Sequence, residues 1–362
     1  ALVWIVTIYW LYQLVVSLCS LVKLKDKPII EDKQNRFMAI IPAHNEEKVV
    51  GNLIASLKRQ NYPKELYDIY VIADNCTDNT AKVAKEAGAI VYERFDEEHK
   101  TKGYALNWFL KQKIEENAPY DAFCIFDADN IVDENFIKNM NKKLCQGEEV
   151  VQGYRDIKNP TDSWITAGYA IFYWTMNRFY HLARYNLGLS PLINGTGFMV
   201  KFDIIKPTGW DTNTLTEDIE FSLKTIISGK KLGWATDAIV YDEQPVGFKQ
   251  SWSQRSRWTV GHIQCLKEYT IPLAVAVKEH KTVMDIARFY TDAFFHDFEL
   301  LNNRMPDIVS PATANINEYI KIIEKLLETD YAYKSGGNIY FDDKLIRENG
   351  VFVIDELKHL NK

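Results

Sequence analysis

Acidic side chains stand at three points of this sequence where they could take part in chemistry. Asp74, and the pair Asp127 and Asp129, each follow a short apolar run, while Glu217 and Asp218 precede an amphipathic stretch. Two carboxylates separated by one residue supply hard oxygen ligands of the kind that bind Mg²⁺ or Mn²⁺. Such a triplet also occurs on many solvated loops, and acids at the start of a helix also act as caps. The place of each acid in the fold therefore matters as much as its type.

A second group of polar side chains shares one face of a predicted helix. Gln254, Arg257 and Trp258 are spaced i, i+3 and i+4, so they lie on the same side of an α-helix. An arginine can pair with a diphosphate, and a tryptophan ring can cover the apolar face of a sugar. The alternative is an exposed arginine beside a core tryptophan. Lys102 and Gly103 offer a further cation and a close backbone approach, or else a solvated helix face.

Together these motifs resemble the inverting glycosyltransferases of family 2 that carry a Q-x-x-R-W element, a group that includes cellulose, chitin and hyaluronan synthases. The resemblance extends from about Phe37 to about Tyr269. It implies a GT-A fold, a mixed α/β sheet flanked by helices, over residues 37–269. It also implies metal-dependent transfer of a glucose-type or N-acetylglucosamine-type sugar from a UDP-sugar to a growing polysaccharide. Single addition to a glycolipid acceptor is the alternative, because the Q-x-x-R-W element also occurs there.

The resemblance assigns roles to residues of the donor site. It implies that Asp129 is the main ligand of Mg²⁺ or Mn²⁺ and that Asp127 lies near the metal and the ribose. It implies that Asp74 accepts from the uracil ring nitrogen, although an Asx-turn that ends a strand is the plainer interpretation. The remaining donor-site residues implied by the family motifs are Pro42, Glu46 and Lys102.

The acceptor site follows from the same resemblance. Asp218 corresponds to the catalytic carboxylate that takes the proton of the attacking acceptor hydroxyl, and Glu217 stands beside it. One base on one face of the sugar implies a single displacement with inversion. Gly195 and Thr196 correspond to the element that presents the acceptor, although a glycine-rich turn is the plain interpretation. Gln254, Arg257 and Trp258 complete the implied substrate-binding set.

The elements that must position these residues are predicted from hydrophobic periodicity. Short β-branched runs alternate with helical patterns from Arg36 onward, which indicates a layered α/β fold. Residues 37–41, 67–73 and 122–126 are predicted to be buried strands. Open α/β sheets bind ligands outside the carboxyl ends of their strands. We therefore expect the acids that follow these strands to lie at one edge of the sheet.

The N-terminal segment predicts a membrane span. Residues 1–22 contain no charged residue, and Lys23, Lys25 and Lys27 follow directly. A helix of about 20 apolar residues crosses a bilayer, and positive flanking residues stay in the cytoplasm. We therefore expect a transmembrane helix over residues 1–22, a juxtamembrane linker over residues 23–36, and a cytoplasmic catalytic domain at the cell membrane. A cleaved signal peptide or a buried core helix is the alternative.

The C-terminal part resembles a different family. After an expected linker at residues 270–280, residues 281–342 resemble part of the cysteinyl-tRNA synthetases, through motifs such as Ala293-Phe294-Phe295 and Asn338-Ile339-Tyr340-Phe341-Asp342. The phosphate-binding and cysteine-selecting motifs of that family are absent. Residues 281–362 are therefore expected to be a mainly helical appendage without catalytic role, from a fusion or a joining artefact. Helices are predicted near residues 283–301 and 316–327, with a hairpin around Gly336 and Gly337.

Composition narrows the remaining classes. The chain has 362 residues and a net charge of −6, which gives no electrostatic reason to expect nucleic acid as a partner. Its five cysteines form no C-x-x-C pair and predict reduced thiols. Two rival functions stay open: a tRNA-binding accessory protein, which would depend on the C-terminal part, and a catalytically inactive scaffold at the membrane.

Overall fold

A mixed β-sheet of eight strands forms the centre of the N-terminal unit. The computed structural model describes residues 2–22, 27–279, 316–329, 331–335 and 338–341, and the chain divides into the compact units Ala1–Arg288 and Phe289–Lys362. The strands are β1 (Phe37–Ala43), β2 (Tyr67–Asp74), β3 (Ile90–Arg94), β4 (Ala122–Ile125), β5 (Ile131–Val132), β6 (Val150–Ile157), β7 (Phe198–Lys201) and β8 (Leu232–Asp242). Their order is β3-β2-β1-β4-β7-β6-β8-β5. The predicted mixed α/β sheet is confirmed.

The helices of this unit are α1 (Leu2–Leu18), α2 (Val50–Lys58), α3 (Thr80–Glu86), α4 (Lys102–Glu115), α5 (Phe136–Cys145), α6 (Trp164–Thr175), α7 (Ala183–Asn186), α8 (Glu217–Ile227) and α9 (Phe248–Glu279). Helices pack on both faces of the sheet, with α2 and α5 on one face and α4 and α8 on the other. A π-helical segment, Met176–Leu182, joins α6 to α7. The described residues therefore alternate strand and helix through much of the domain, as the periodicity predicts.

The central strands β1 and β4 are apolar throughout because both faces of the sheet are buried there. In β1, Phe37, Ala39 and Ile41 pack into one core cluster, while Met38 and Ile40 pack into the cluster on the opposite face. Strands covered on both sides have near-continuous apolar sequences. The short apolar runs of the sequence therefore predict central strands.

Parallel pairing brings several strand ends to one edge. β1 pairs in parallel with β2 and with β4, and β2 pairs in parallel with β3. β7 then runs antiparallel between β4 and β6. The segments that follow β1, β2 and β4 consequently start at the same edge, which is where the predicted donor-site residues occur.

The N-terminal helix is shorter than the predicted span. Helix α1 has 17 residues and so rises roughly 25 Å, against roughly 30 Å for a hydrocarbon core. A 3₁₀ turn at Cys19–Leu21 follows it. Within the described residues no helix is both long and apolar enough to cross a membrane, so the predicted transmembrane helix at residues 1–22 is not found. The end of this segment contacts α7, because Asn186 Nδ2 donates to the carbonyl oxygen of Cys19 at 2.9 Å.

The C-terminal part of the chain differs from prediction at one point. Residues 270–279, expected to begin a linker, form the last turns of α9 even though Pro272 lies within them. In the second unit, α10 (Ile316–Glu328) and a hairpin of β9 (Ala332–Ser335) and β10 (Asn338–Phe341) match the second predicted helix and the predicted hairpin. The helix predicted near residues 283–301 lies outside the described residues.

Candidate active site

Lys102 joins three segments of the site. It is the first residue of α4, and its Nζ lies 2.6 Å from Asp127 Oδ1, 2.6 Å from the carbonyl oxygen of Gly195 and 3.6 Å from Glu217 Oε1. Burial alone would lower the pKa of Lys102, but the carboxylates of Asp127 and Glu217 raise it above its ordinary value. Lys102 therefore stays charged and does not lie on a solvated helix face. Lys102 thus joins the predicted metal-binding pair Asp127 and Asp129, called the metal corner below, to the segment that carries Glu217 and Asp218.

Asp218 lies against the backbone of Gly195. Gly195 has a φ of +80°, and a Cβ at this position would lie 3.3 Å from Asp218 Oδ2. Burial raises the pKa of Asp218, and burial also raises the pKa of Glu217 to about 7, while Lys102 opposes both shifts. A buried carboxylate with a raised pKa is a stronger proton acceptor than a solvated one. The arrangement suits the general base that the sequence predicts at Asp218.

The metal corner concentrates negative charge. Burial raises the pKa of Asp129 to about 8, with further contributions from Asp242, Asp127 and Glu46. Asn130 Nδ2 bridges two of these acids, donating to Asp129 Oδ1 at 3.1 Å and to Asp242 Oδ1 at 2.8 Å. A divalent cation would relieve this repulsion between carboxylates.

The carboxylates at the metal corner fit an ion whose remaining ligands come from water and the substrate. Among the described residues, no group of three or more His, Cys, Asp or Glu side chains is arranged to hold a metal by itself. Mg²⁺ is commonly bound through one or two carboxylates together with waters and substrate phosphates. Asp127 and Asp129 can supply those two carboxylates.

A buried arginine that the sequence analysis missed supports the loop that carries Gly195 and Thr196. Arg155 in β6 donates through Nε to Asp242 Oδ2 at 2.9 Å and through Nη1 to the carbonyl oxygen of Asn194 at 2.7 Å. Its guanidinium also lies 4.4 Å from the centre of the Tyr173 ring. The available signals were a charged residue inside an apolar strand and an acid at the end of β8.

Thr196 has a different place from the one predicted. Its side chain is fully buried, and its hydroxyl accepts from the backbone N–H of Asp127 at 3.0 Å. It therefore fixes the loop that carries Asp127 and Asp129. The prediction of direct substrate contact is corrected, because the burial leaves no face of this side chain open to a ligand.

Asp74, the predicted contact of the nucleotide base, has a buried arginine partner that the sequence analysis missed. Arg94 Nη1 lies 2.6 Å from Asp74 Oδ1, and both side chains are buried. His44 Nδ1 lies 2.8 Å from the carbonyl oxygen of Asp74, and the backbone N–H of Glu46 donates to Thr80 Oγ1 at 2.7 Å. Pro42 pairs with Ile72 near the ends of β1 and β2.

A cavity of about 840 Å³ lies between two predicted donor-site acids and the Q-x-x-R-W element of α9. Its wall includes Glu46, Asp129, Gln254 and Arg257. Carboxylates from the sheet edge therefore face the arginine of the Q-x-x-R-W element across one space. Arg257 is exposed on α9, which leaves its guanidinium accessible to an anion.

Trp258 and Gln254 contact α6. Gln254 Oε1 accepts from the Tyr169 hydroxyl at 3.1 Å, and the Trp258 ring meets the Tyr169 ring edge to face at 6.4 Å between centroids. Trp258 also packs against the small core cluster around Tyr169 and Tyr173. Contact of Trp258 with an acceptor sugar stays a prediction, since its ring already has an aromatic partner.

A family model described as "Glycosyltransferase like family 2" matches residues 35–261, which is more than half of the chain. The chain belongs to glycosyltransferase family 2. It is 26% identical over 275 residues to the probable glycosyltransferase YdaM of Bacillus subtilis, covering 72% of this chain and 63% of that protein. It is 28% identical over 259 residues to the poly-beta-1,6-N-acetyl-D-glucosamine synthase of Staphylococcus aureus, covering 68% and 60%. The chain thus spans about three fifths of the length of these family 2 relatives.

A solved structure supports the fold of this family 2 chain. The mannosyltransferase PcManGT from Pyrobaculum calidifontis, in complex with GDP-Man and Mn²⁺, superposes with a TM-score of 0.56 at 16% identity, covering 87% of this chain and 88% of that one. At this identity the likeness shows a shared fold, and the GT-A expectation is confirmed to that extent.

The tail of the family 2 chain has its own match. A model described as "tRNA synthetases class I (C) catalytic domain" matches residues 225–362. The chain is also 46% identical over 67 residues to the cysteine–tRNA ligase of Treponema denticola, covering 18% of this chain and 14% of that protein. The predicted resemblance is confirmed, and it involves a small part of the synthetase.

Proposed function

We propose that this chain is a metal-dependent inverting glycosyltransferase that moves a glucose-type or N-acetylglucosamine-type sugar from a UDP-sugar to a growing polysaccharide. The observation that carries the proposal is the position of Lys102. Its Nζ contacts Asp127 and the Gly195 carbonyl oxygen, and Gly195 in turn lies against Asp218. The acids proposed to bind the metal, the cation proposed for the diphosphate and the proposed proton acceptor therefore lie close to one another.

The residues of this corner account for each step of a single displacement. Asp218 takes the proton of the acceptor hydroxyl while that oxygen forms a bond to the anomeric carbon. The bond between the anomeric carbon and the diphosphate oxygen breaks, and UDP leaves from the opposite face, so the configuration inverts. Lys102 and Arg257 are the cations that would balance the charge of the leaving diphosphate.

A divalent ion completes the proposed charge balance. Asp127 and Asp129 would hold Mg²⁺ or Mn²⁺, which supplies electrostatic stabilisation of the departing diphosphate. Two observations support this: the raised pKa of Asp129 among neighbouring acids, and the Mn²⁺ bound by the structurally similar mannosyltransferase.

The polymer acceptor is supported by similarity to a polysaccharide synthase. The test is an assay of UDP release with UDP-glucose, UDP-N-acetylglucosamine and UDP-galactose, each with and without Mn²⁺, followed by sizing of the products. We expect metal-dependent UDP release with one preferred donor and a ladder of products. Products extended by one sugar on a lipid would identify a glycolipid transferase instead. The absence of release with every donor would contradict the proposed function.

We also propose that the enzyme works at the cytoplasmic face of the cell membrane and contacts the bilayer through α1. Trp4 and Trp10 on this helix are 71% and 64% exposed, and aromatic and apolar side chains on a surface helix favour insertion at a membrane interface. The test is flotation with anionic liposomes. The full chain should float, and a variant without residues 1–22 should not; equal behaviour of the two would contradict the proposal.

A further inference from the structure

A buried ion pair fixes one oxygen of the predicted base-binding carboxylate. Arg94 ends β3 directly beside Asp74 in the parallel register of β2 and β3. Its Nη1 lies 2.6 Å from Asp74 Oδ1, and the two side chains are 6% and 10% exposed. Charge-assisted hydrogen bonds of this kind are short and strong. Asp74 Oδ1 is therefore committed to a protein partner before any nucleotide binds.

Neighbouring residues hold this arrangement in place. Asn75, which has a φ of +51°, donates from Nδ2 to the same Asp74 Oδ1 at 3.2 Å and to the carbonyl oxygen of Asp96 at 3.0 Å. Arg94 Nη2 pairs with Asp96 Oδ2 at 2.7 Å. Among the described residues, none donates a hydrogen bond to Asp74 Oδ2. Asp74 thus keeps one acceptor oxygen for a ligand.

A single acceptor oxygen distinguishes between nucleobases. Uracil presents one ring N–H between two carbonyl groups, so one oxygen satisfies its only donor on that edge. Guanine presents a ring N–H beside an amino group, and a carboxylate binds these two donors best with both of its oxygens. Because Oδ1 of Asp74 is held by Arg94, the second guanine donor would be left without its partner. An unpaired buried donor costs binding free energy.

We propose that Arg94 is a specificity-determining residue, which commits one oxygen of Asp74 and so makes the site select uracil over guanine. Arg94 acts through Asp74 and is a positioning residue. The inference rests on the proposed function only in taking Asp74 as the contact of the donor base.

The first test measures binding of UDP and GDP to the full chain by isothermal titration calorimetry with Mn²⁺ present. We expect the wild type to bind UDP at least about tenfold more tightly than GDP, the effect of about one hydrogen bond. Arg94→Met should lower this ratio at least about threefold, since it removes the charged partner of Oδ1 and leaves only the longer hydrogen bond from Asn75 Nδ2. Lys85→Met is the control, because it breaks the exposed ion pair of Lys85 with Glu93 on the same strand and should leave the ratio unchanged.

The second test uses Asp74→Asn and adds CDP. Arg94 should draw the oxygen of the new amide, which turns the amide NH₂ toward the base. An NH₂ group repels the uracil N–H but suits the acceptor ring nitrogen of cytosine. We expect the ratio of UDP to CDP affinity to fall at least about tenfold. This variant replaces the carboxylate by an uncharged amide of the same shape and keeps Arg94, so it tests the proposal even if Arg94→Met does not fold.

The proposal would be overturned if the wild type bound UDP and GDP equally. It would also be overturned if the ratio of UDP to GDP affinity fell less than about threefold in folded Arg94→Met. Equal loss of UDP and CDP affinity in Asp74→Asn would also overturn it. Each ratio is measured on one sample, so a reduced folded fraction does not change it. Nucleotide selectivity without sugar transfer would contradict the proposed function and leave this inference standing.

Discussion

At the scale of single residues, Lys102 controls the charges around the reaction centre. Its ammonium group contacts Asp127 and lies 3.6 Å from Glu217. It stabilises the ionised forms of Glu217 and Asp218, whose pKa values burial raises. In the proposed mechanism the same cation therefore links the metal-binding acids to the base and sets the pH at which the base becomes available.

The pH dependence of transfer should show this link. Glu217, with a pKa raised to about 7, gains a proton as the pH falls, and burial also raises the pKa of Asp218. We therefore expect kcat/KM to decrease as the pH falls below about 7. Removal of a nearby cation raises the pKa of a carboxyl group. Lys102→Met should therefore move the acid limb of the profile to higher pH, in addition to lowering the rate.

A control separates this effect from a general loss of charge. Lys111 is exposed on the same helix, α4, and Lys111→Met should leave the pH profile in place. The measurement is kcat/KM for UDP release across the pH range. An acid limb that stays fixed in Lys102→Met, or that moves to lower pH, would show that Lys102 does not set the protonation of the base.

At the scale of elements, the loop between α7 and β7 lies against the proposed base, Asp218. Gly195→Ala places a methyl group where a left-handed φ of +80° is required and where Asp218 Oδ2 lies 3.3 Å away. Left-handed backbone costs a non-glycine residue about 1–2 kcal/mol. The carboxylate must also shift, and small displacements of catalytic groups cost activity. We expect kcat to fall at least about tenfold.

Gly188→Ala is a matched control for this loop variant. Gly188 also has a positive φ, +70°, but a Cβ there meets only Lys231 Nζ, at 3.9 Å. Both variants should lose similar stability in thermal melting, because both pay for the backbone conformation. Only Gly195→Ala should lose kcat. Equal kcat in the two variants would mean that the distance between Gly195 and Asp218 is unimportant for catalysis.

The sequence predicts the elements well and their charged contacts poorly. Strands such as β1 and β2 can be predicted because both of their faces are buried. Parallel pairing then predicts that the acids at their ends lie at one edge of the sheet. The Arg155 pair with Asp242 joins residues 87 positions apart. No local pattern identifies such a partner, and the same holds for Arg94. The helix ends also differ from prediction, since α1 is shorter and α9 longer than the sequence pattern indicates.

At the scale of the whole molecule, the candidate site belongs to the first compact unit. All predicted site residues lie within Ala1–Arg288, while the synthetase-like identity covers only 67 residues. Removal of residues 289–362 should therefore leave the rate of UDP release within about twofold of the full chain, the error expected of independent units.

Thermal melting of the full chain and of the truncated chain should first show that both are folded at the assay temperature. The full chain should also show no binding of tRNA at physiological salt, because its net charge is −6 and phosphate backbones require clustered cations. Loss of UDP release in a folded, truncated chain would give the C-terminal part a catalytic role. Salt-dependent tRNA binding by the full chain would favour the accessory-protein alternative.

The most direct test of the account is the turnover of Asp218→Asn with the preferred UDP-sugar and Mn²⁺. We predict that kcat falls at least about 100-fold, the contribution of a positioned general base, while UDP affinity stays nearly unchanged. Asp203→Asn is the control, since that side chain is 60% exposed and pairs with Lys206 outside the site; it should keep full activity. Normal turnover in Asp218→Asn would contradict the assignment of the base and the mechanism built on it.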